Sequence, residues 1–224
     1  MRYDYLYGTN YTIEQPAHMY HFNSDTEYLG RMMEVHPEET VLDIGTNTGA
    51  LLCYIAHHKA IPYGIDVLEE VVETARKNME HNHICAQIYA VRLQEFQGCL
   101  FDHAICNPPY FPTKKTDLKN DSPYLRMARH EDYLKLEELF RYSYPLVKEA
   151  GSLQIVHRYD RFQEIQNTAA KNGWYLRKFR IHYSSKQGIP KSVWCYFLKE
   201  DGECIQYAPS YLDDRDSVER KEEI

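Results

Sequence analysis

The sequence lacks several features that would place it in a well-marked class. Among its 224 residues there is no apolar run near the roughly 18 residues that a membrane-spanning helix needs. The first residues contain no apolar stretch typical of a signal peptide. The chain has six cysteines, but no two of them have the C-x-x-C spacing of zinc or redox sites. These absences predict a cytoplasmic protein with reduced thiols, no metal site and no contact with a membrane.

Two common nucleotide-binding strings are also missing, the G-x-G-x-x-G dinucleotide fingerprint and the G-x-x-x-x-G-K-[ST] phosphate loop. The net charge is −7, which excludes a uniformly positive surface but allows a local basic one. Since no repeat and no second hydrophobic core is visible, we expect one domain over residues 1–212. This domain includes a short N-terminal arm over residues 1–23 and is followed by a charged tail over residues 213–224. We expect the protein to be a monomer.

What is present begins with a strand, a glycine-rich turn and a helix. Thr40–Ile44 is predicted to be a buried strand, Gly45 and Gly49 bracket the turn, and a helix follows over Ala50–His58. Asp66 lies at the end of the next predicted strand, about 20 residues beyond the turn. A carboxylate at this spacing can accept both hydroxyls of a ribose. The alternative is that Asp66 caps the helix that follows it.

The second informative stretch is Phe101–Tyr110, which predicts a buried strand ending in Asn-Pro-Pro-Tyr. Asn107 has a side-chain carbonyl, and Pro109 keeps Pro108 extended, so that the Pro108 carbonyl stays outside any helix. Tyr110 has a flat face for stacking. Two acceptors and a ring suit a planar substrate with an NH2 group, whereas the alternative is an ordinary proline-rich turn.

The remaining pattern alternates strands and helices and predicts an α/β fold whose mainly parallel sheet has an antiparallel strand near the C-terminus. Strands that run parallel end at one edge, which is where such sheets bind ligands. The further expected elements are a helix capped by Ser24 or Asp25 and running to Val35, a helix over Val67–Glu80, a strand over Ile84–Val91, a polar loop over 111–130, a helix over Glu131–Val147, a strand over Ser152–His157, a helix over Arg158–Asn172, strands over Trp174–Tyr183 and Val193–Leu198, and a short strand over Glu203–Tyr207.

These residues carry a resemblance to a known family. The D-x-G-x-x-x-G turn with Asp66 and the Asn-Pro-Pro-Tyr string resemble class I S-adenosylmethionine-dependent methyltransferases with the N-P-P-Y motif. A narrower resemblance is to the bacterial tRNA adenine-N6-methyltransferases that act beside the anticodon of a valine tRNA. The strings that carry it are Gln15-Pro16, Phe22–Asp25, Cys106–Thr113, Ala128–Glu131 and Val156–Arg158.

The resemblance implies a Rossmann-like fold with a mainly parallel seven-stranded sheet, S-adenosylmethionine as cofactor and tRNA as partner. The implied catalytic residues are Asn107, Pro108 and Tyr110. The implied cofactor-binding residues are Asp25, Asp43, Gly45, Thr46, Gly49, Asp66, Val67, Leu93 and Asn107. The implied substrate-binding residues are Pro109, Phe111, Lys114, Lys115, Arg126, Arg129 and His130. One departure is Arg92, which stands where the family has an acid for the cofactor's adenine amine and which cannot accept a hydrogen bond.

Two other functions fit the same residues. A carboxamide presents the same NH2 group as adenine, so a protein glutamine methyltransferase is one alternative. A nucleic-acid-binding module with a degenerate cofactor site is the other, suggested by Arg92. The lysines and arginines of the polar loop favour RNA over a protein substrate.

Overall fold

The computed structural model describes residues 3–110, 134–186 and 188–211. The strands are β1 (Tyr3–Tyr5), β2 (Thr12–Glu14), β3 (Thr40–Ile44), β4 (Ile61–Asp66), β5 (Gln87–Ala90), β6 (Phe101–Cys106), β7 (Val147–Arg158), β8 (Tyr175–Tyr183), β9 (Pro190–Leu198), β10 (Ile205–Gln206) and β11 (Ser210–Tyr211). The helices are α1 (Ser24–Met32), α2 (Ala50–His57), α3 (Glu69–His81), α4 (Leu136–Ser143) and α5 (Phe162–Lys171). Single 3₁₀ turns follow α4 and precede α5, at Tyr144–Leu146 and Tyr159–Arg161.

The main sheet has the strand order β10-β8-β9-β7-β6-β3-β4-β5, and β11 also pairs with β8. Strands β5, β4, β3, β6 and β7 run parallel to one another. Strand β9 runs antiparallel to both β7 and β8. The predicted mainly parallel sheet with an antiparallel C-terminal hairpin is therefore confirmed. The strands β3–β9 form the seven-stranded body, and the two-residue strands β10 and β11 extend it past β8.

Helices cover both faces of this sheet, as the buried apolar clusters show. On one face, Leu29, Leu52 and Val72 from α1, α2 and α3 pack against sheet residues such as Ile105. On the other face, α4 and α5 pack against β6, β7 and β9, and the Trp174 indole donates to the Phe140 carbonyl at 3.0 Å. Successive strand residues point to opposite faces, so central strands buried on both sides are almost continuously apolar.

The N-terminal arm folds back onto α2 and α3. Strands β1 and β2 form a separate antiparallel ribbon. The Asn78 side chain accepts the Glu14 N–H at 2.8 Å, and the Asn82 side chain accepts the Thr12 N–H at 3.1 Å. The Tyr54 hydroxyl donates to the Tyr7 carbonyl at 2.8 Å. The arm is thus attached through long-range hydrogen bonds that no local pattern of the sequence encodes.

Several predicted boundaries were wrong. Helix α1 is capped by Asn23, not by Ser24 or Asp25, and ends at Met32. The predicted helix over 131–147 is shorter, since α4 ends at Ser143. Pro145 lies in the 3₁₀ turn that follows, and β7 begins at Val147 rather than at Ser152. Proline has no N–H to continue a helix, and the chain enters the sheet at once.

The region between β7 and β8 also differs from the prediction. Strand β7 continues to Arg158, and α5 covers only Phe162–Lys171. Strand β11 was not predicted. Within the described residues, no helix is long and apolar enough to cross a membrane.

Candidate active site

Three neighbouring parallel strands, β4, β3 and β6, end at one edge of the sheet and bring the two predicted motifs together. Asp43 pairs with Gly64 on one side and with Ile105 on the other. The residues that directly follow or end these strands, Gly45, Asp66 and Asn107, line a single cavity. The prediction that the glycine turn, Asp66 and the Asn107–Tyr110 stretch share a crevice is therefore confirmed except at Tyr110, which does not line the cavity.

The glycine turn forms the floor of this cavity. Gly45 and Gly49 have φ angles of 77° and 90°, and Asn47 between them has a φ of 48°. Glycine adopts this left-handed region without a steric cost, and asparagine tolerates it better than most residues. The N–H groups of Gly45 and Thr46 both donate to the Ile65 carbonyl at 2.9 Å. The turn is therefore tied to β4, which carries Asp66.

Asp66 organises the loops on either side of it. Its Oδ2 accepts the Asn47 N–H at 3.0 Å, and its Oδ1 accepts the Leu68 N–H at 3.3 Å. The N-cap of α3 is Leu68, so the alternative in which Asp66 caps that helix was wrong. Burial raises the pKa of Asp66, while these backbone N–H groups act to lower it. A carboxylate has about four acceptor positions, so Asp66 retains capacity for the hydroxyls of a ribose.

Asp43 lies under the turn as a fully buried acid. Among the described residues, no N–H group donates to either of its carboxylate oxygens. Burial raises its pKa from the ordinary value of 3.8 to about 7, and the Thr46 hydroxyl offsets this only in part. A buried carboxyl with so few donors is costly, and such groups concentrate at functional sites. A positively charged or N–H-bearing group above the turn would supply what Asp43 lacks, which fits a cofactor with an amino-acid tail.

Asn107 is held on both sides of its amide. Its Nδ2 donates to the Thr26 Oγ1 at 2.9 Å, and its Oδ1 accepts the hydroxyl of Tyr110. The same hydroxyl lies 3.3 Å from the Asp25 Oδ2. The sequence prediction treated Asn107 Oδ1 as an open acceptor, whereas in the structure it already has a donor.

Tyr110 is fixed by its ring as well as by its hydroxyl. Its ring lies 5.0 Å from the His157 ring, at an interplanar angle of 56°. The Arg161 guanidinium donates to the Tyr110 carbonyl at 3.3 Å. Burial and the nearby Asp25 carboxylate raise the pKa of Tyr110 well above its ordinary value. The hydroxyl therefore keeps its proton at physiological pH and donates a hydrogen bond, and the ring packs against His157.

The predicted cofactor residues divide into two groups. Gly45, Thr46, Asp66, Val67, Leu93 and Asn107 line the cavity, whereas Asp25, Asp43 and Gly49 do not. Asp25 is 4% exposed and bonds instead to Ser192 and Lys191. Arg92 does not line the cavity, but its neighbours Leu93 and Gln94 do. The Gln94 side chain has a carbonyl acceptor, which is the chemistry that Arg92 lacks.

Sequence reasoning missed the residues that form the outer wall of the cavity, Tyr20, Phe22 and Thr26. The Asn47 side chain donates to the Tyr20 carbonyl at 2.7 Å, and the Asn23 side chain donates to the Tyr20 hydroxyl at 2.7 Å. The only local signal was the Phe22–Asp25 string. The approach of this segment to the glycine turn depends on contacts across the chain.

Most of the predicted substrate contacts lie outside the described residues. Of that group, Pro109 lines the cavity. Phe111, Lys114, Lys115, Arg126, Arg129 and His130 fall between residues 110 and 134, which the structure does not describe. In the part of the chain that it does describe, no cluster of three or more His, Cys, Asp or Glu side chains could hold a metal ion.

Comparison with known proteins identifies similarity to methyltransferases at the level of the family, of single relatives and of the fold. The family profile described as "Methyltransferase small domain" matches residues 19–171. The chain is 29% identical over 170 residues to a protein of Tolumonas auensis named tRNA1(Val) (adenine(37)-N6)-methyltransferase, a match that covers 74% of this chain and 70% of that one. It is 23% identical over 181 residues to a protein of Haemophilus influenzae named release factor glutamine methyltransferase, covering 74% of this chain and 62% of that one.

Solved structures resemble the chain in fold. A predicted O-methyltransferase of Agrobacterium tumefaciens superimposes with a TM-score of 0.66 at 15% identity, covering 87% of this chain and 96% of that one. A magnesium protoporphyrin IX methyltransferase of Synechocystis with bound S-adenosylmethionine has a TM-score of 0.52 at 16% identity, covering 72% of this chain and 71% of that one.

Proposed function

The chain belongs to the methyltransferase small domain family, its cofactor is S-adenosylmethionine, and on this premise we propose that it methylates the exocyclic N6 of an adenine in tRNA, next to the anticodon. The observation that carries the proposal is one cavity in which Asp66 and the glycine turn lie beside Asn107 and Pro108. A cofactor site and a pair of amine acceptors thus adjoin each other.

The cofactor, when bound, supplies an electrophilic methyl group on a sulfonium. Asp66 would accept the ribose hydroxyls, and Gln94 at the cavity wall would accept the adenine amine. Asp43 would receive a donor from above the turn. These roles use groups that line or underlie the cavity, and they require no metal.

The target amine needs activation because its lone pair is delocalised into the adenine ring. Asn107 Oδ1 and the Pro108 carbonyl would accept its two hydrogens and draw the nitrogen toward tetrahedral geometry. Positive charge grows on this nitrogen during transfer, and fixed acceptor dipoles stabilise it. Holding donor and acceptor in line supplies much of the rate. The adenine has to leave its stack to reach this position.

Support for RNA as the substrate comes from two sources. Several curated relatives carry the tRNA adenine-N6 name, among them those of Tolumonas auensis and Vibrio campbellii. In the structure, two cations lie near the candidate target position, and both are ion-paired: Arg161 with Glu164 at 2.6 Å and Lys191 with Asp25 at 3.2 Å. With a net charge of −7, binding of phosphates would rely chiefly on the lysines of the 111–130 segment.

The test is methyl transfer to defined RNA. The purified protein with labelled S-adenosylmethionine and unmodified valine tRNA transcript should yield N6-methyladenosine on nucleoside analysis. A transcript with guanine at the position next to the anticodon should stay unmodified, and a short unstructured RNA should be a poorer substrate because it lacks phosphate contacts outside the loop. Affinity should fall steeply as salt rises.

The second candidate, glutamine methylation, is favoured by the match to the release factor methyltransferase and by the fit of a carboxamide to the same acceptors. Incubation with a release factor as the only substrate distinguishes the two. Label in the release factor's glutamine with none in tRNA would contradict the RNA proposal.

A further inference from the structure

Asp25 lies beyond Asn107, outside the cofactor cavity, and its two carboxylate oxygens have different partners. Oδ1 accepts the Ser192 hydroxyl at 2.9 Å and lies 3.2 Å from the Lys191 ammonium. Oδ2 faces the Tyr110 hydroxyl at 3.3 Å. Ser192 and Lys191 lie in β9, more than 160 residues after Asp25 in the chain. Asp25 is therefore fixed through one oxygen and offers the other to Tyr110.

The Tyr110 hydroxyl has one proton and two acceptors within reach. The shorter contact is to Asn107 Oδ1 and the longer one is to Asp25 Oδ2. Asn107 Oδ1 is also the atom that the target amine needs in the proposed function. An amide oxygen has two lone pairs, but one that already accepts a hydroxyl is a weaker acceptor for the positive charge that develops on the amine.

We infer that Asp25 is a positioning residue that takes over the Tyr110 hydroxyl when the target amine arrives, leaving Asn107 Oδ1 to the amine. This inference rests on the proposed function. A buried hydroxyl displaced from its acceptor without a replacement loses a hydrogen bond at a substantial cost. Because Asp25 Oδ2 is already within 3.3 Å, a small rotation of Tyr110 exchanges one partner for the other.

The rest of the network keeps Asn107 in place during this exchange. Its Nδ2 donates to Thr26 Oγ1, and the Thr26 N–H and hydroxyl are held by the Asn23 side chain at 3.1 and 3.4 Å. The amide therefore cannot follow the hydroxyl. Asp25 and Thr26 are adjacent residues of α1. The start of this helix therefore both holds Asn107, through Thr26, and positions Asp25 to accept the Tyr110 hydroxyl.

The test is a double-mutant cycle of Asp25→Asn with Tyr110→Phe, measured as kcat/KM with the tRNA transcript. Asp25→Asn keeps the shape of the side chain and removes its charge, so it weakens the receiving acceptor. It should lower kcat/KM by about tenfold in the parent protein. In the Tyr110→Phe background there is no hydroxyl to receive, and the same substitution should change kcat/KM by less than about twofold.

A second readout does not depend on turnover. With S-adenosylhomocysteine in place of the methyl donor, affinity is compared for two anticodon stem-loops, one with adenosine and one with purine riboside, which lacks the amine. Asp25→Asn should reduce the preference for adenosine several-fold in the parent protein and leave it unchanged in the Tyr110→Phe background. A merely structural role for Asp25 would not move this preference.

A matched control is available at the opposite edge of the sheet. Asp102 also accepts a hydroxyl, from Thr40 at 2.8 Å, and also pairs with a lysine, Lys148 at 2.7 Å. Asp102→Asn should lower stability while leaving kcat/KM and the adenosine preference at parent values.

Equal effects of Asp25→Asn in both backgrounds would overturn the inference. If the parent protein modifies a release factor glutamine and not RNA, the proposed function fails, and the cycle is then measured on that substrate, whose carboxamide brings the same N–H donors. Equal effects of Asp25→Asn in both backgrounds on the release factor would overturn the inference independently of the proposed function.

Discussion

At the scale of single residues, two acids beside the glycine turn have opposite surroundings: Asp66 lines the cavity, whereas Asp43 is fully buried outside its lining. Asp66 accepts two backbone N–H groups, whereas no N–H group among the described residues donates to Asp43. Burial of a carboxyl with so few donors destabilises its ionised form. Burial therefore favours the protonated form of Asp43, and the pH dependence of stability reports it.

Replacement of Asp43 tests this. Its folded-state pKa is about 7, above the ordinary 3.8, so the folded state binds the proton more tightly than the unfolded chain does. Stability due to this group is full below pH 3.8 and is lost as the pH rises toward 7. The stability of Asp43→Asn relative to the parent should therefore rise by roughly 2–3 kcal/mol between pH 5 and pH 8, measured by urea unfolding. A pH-independent difference would contradict the assignment.

Asn107 gives a second prediction at this scale. Its amide contributes chiefly in the transition state, as charge develops on the target nitrogen. Asn107→Ala should therefore reduce kcat below detection while the calorimetric affinity for S-adenosylmethionine stays within about threefold of the parent. As a comparison, Asp66→Ala should weaken cofactor binding by roughly 1–3 kcal/mol through lost hydrogen bonds. Near-parent turnover in Asn107→Ala would refute the mechanism.

At the scale of elements, the first turn of α1 connects the cofactor cavity to the target position. Thr26 lines the cavity and accepts from Asn107, and Asp25 faces Tyr110. The turn itself is set by Asn23, whose side chain accepts the N–H groups of Asp25 and Thr26 at 3.0 and 3.1 Å. An N-cap of this kind fixes where a helix begins, and here it fixes two site residues as well.

Two substitutions of Asn23 distinguish its role as the N-cap of α1 from its role in holding Tyr20 at the cavity wall. Asn23→Ala should lower the free energy of unfolding by about 1 kcal/mol, since the cap is lost. Asn23→Ser keeps a capping oxygen but lacks the amide that donates to the Tyr20 hydroxyl. Asn23→Ser should therefore recover most of the free energy of unfolding that Asn23→Ala loses. Its affinity for S-adenosylmethionine should stay below that of the parent protein. Equal stability of the two variants, measured by denaturant unfolding, would show that the cap does not stabilise α1.

At the scale of the whole molecule, the sheet buries two histidines near the carboxyl ends of β7 and β8. Burial lowers the pKa of both His157 and His182 from 6.5 to about 4. Their rings pack against Tyr110 and Tyr28. The fold thus keeps two neutral imidazoles at the edge that carries the site, and charging them opposes folding.

Acid stability should follow from these histidines. Since their folded pKa values are below the unfolded value, the unfolded chain binds more protons between pH 6.5 and pH 4, and stability falls as the pH drops through that window. Each histidine should contribute a loss of about 2 kcal/mol between pH 7 and pH 5. A His157→Gln variant should lose about 2 kcal/mol less than the parent over this range in urea unfolding. An unchanged pH dependence would show that His157 takes up its proton as readily in the folded state as in the unfolded chain.

The sequence by itself determined the fold class and the inner half of the site. Strands β3 and β6 were predicted with their observed bounds, because strands buried on both faces are nearly continuous apolar runs. The cavity residues Gly45, Asp66 and Asn107 followed from one rule, that parallel strands end at a common edge. These features depend on local pattern and on topology that the pattern already implies.

Only the tertiary structure decided the outer wall and the state of the acceptor. Tyr20 and Phe22 reach the cavity because Asn47 and Asn23 hold that segment, and these bonds join residues whose pairing no periodicity signals. Asp25 was expected at the cofactor, but its partners Ser192 and Lys191 are separated from it by more than 160 residues in sequence. Side-chain hydrogen bonds of this range depend on how the elements pack. For this reason the sequence named Asn107 as the acceptor, and the folded chain alone revealed that Tyr110 already donates to it.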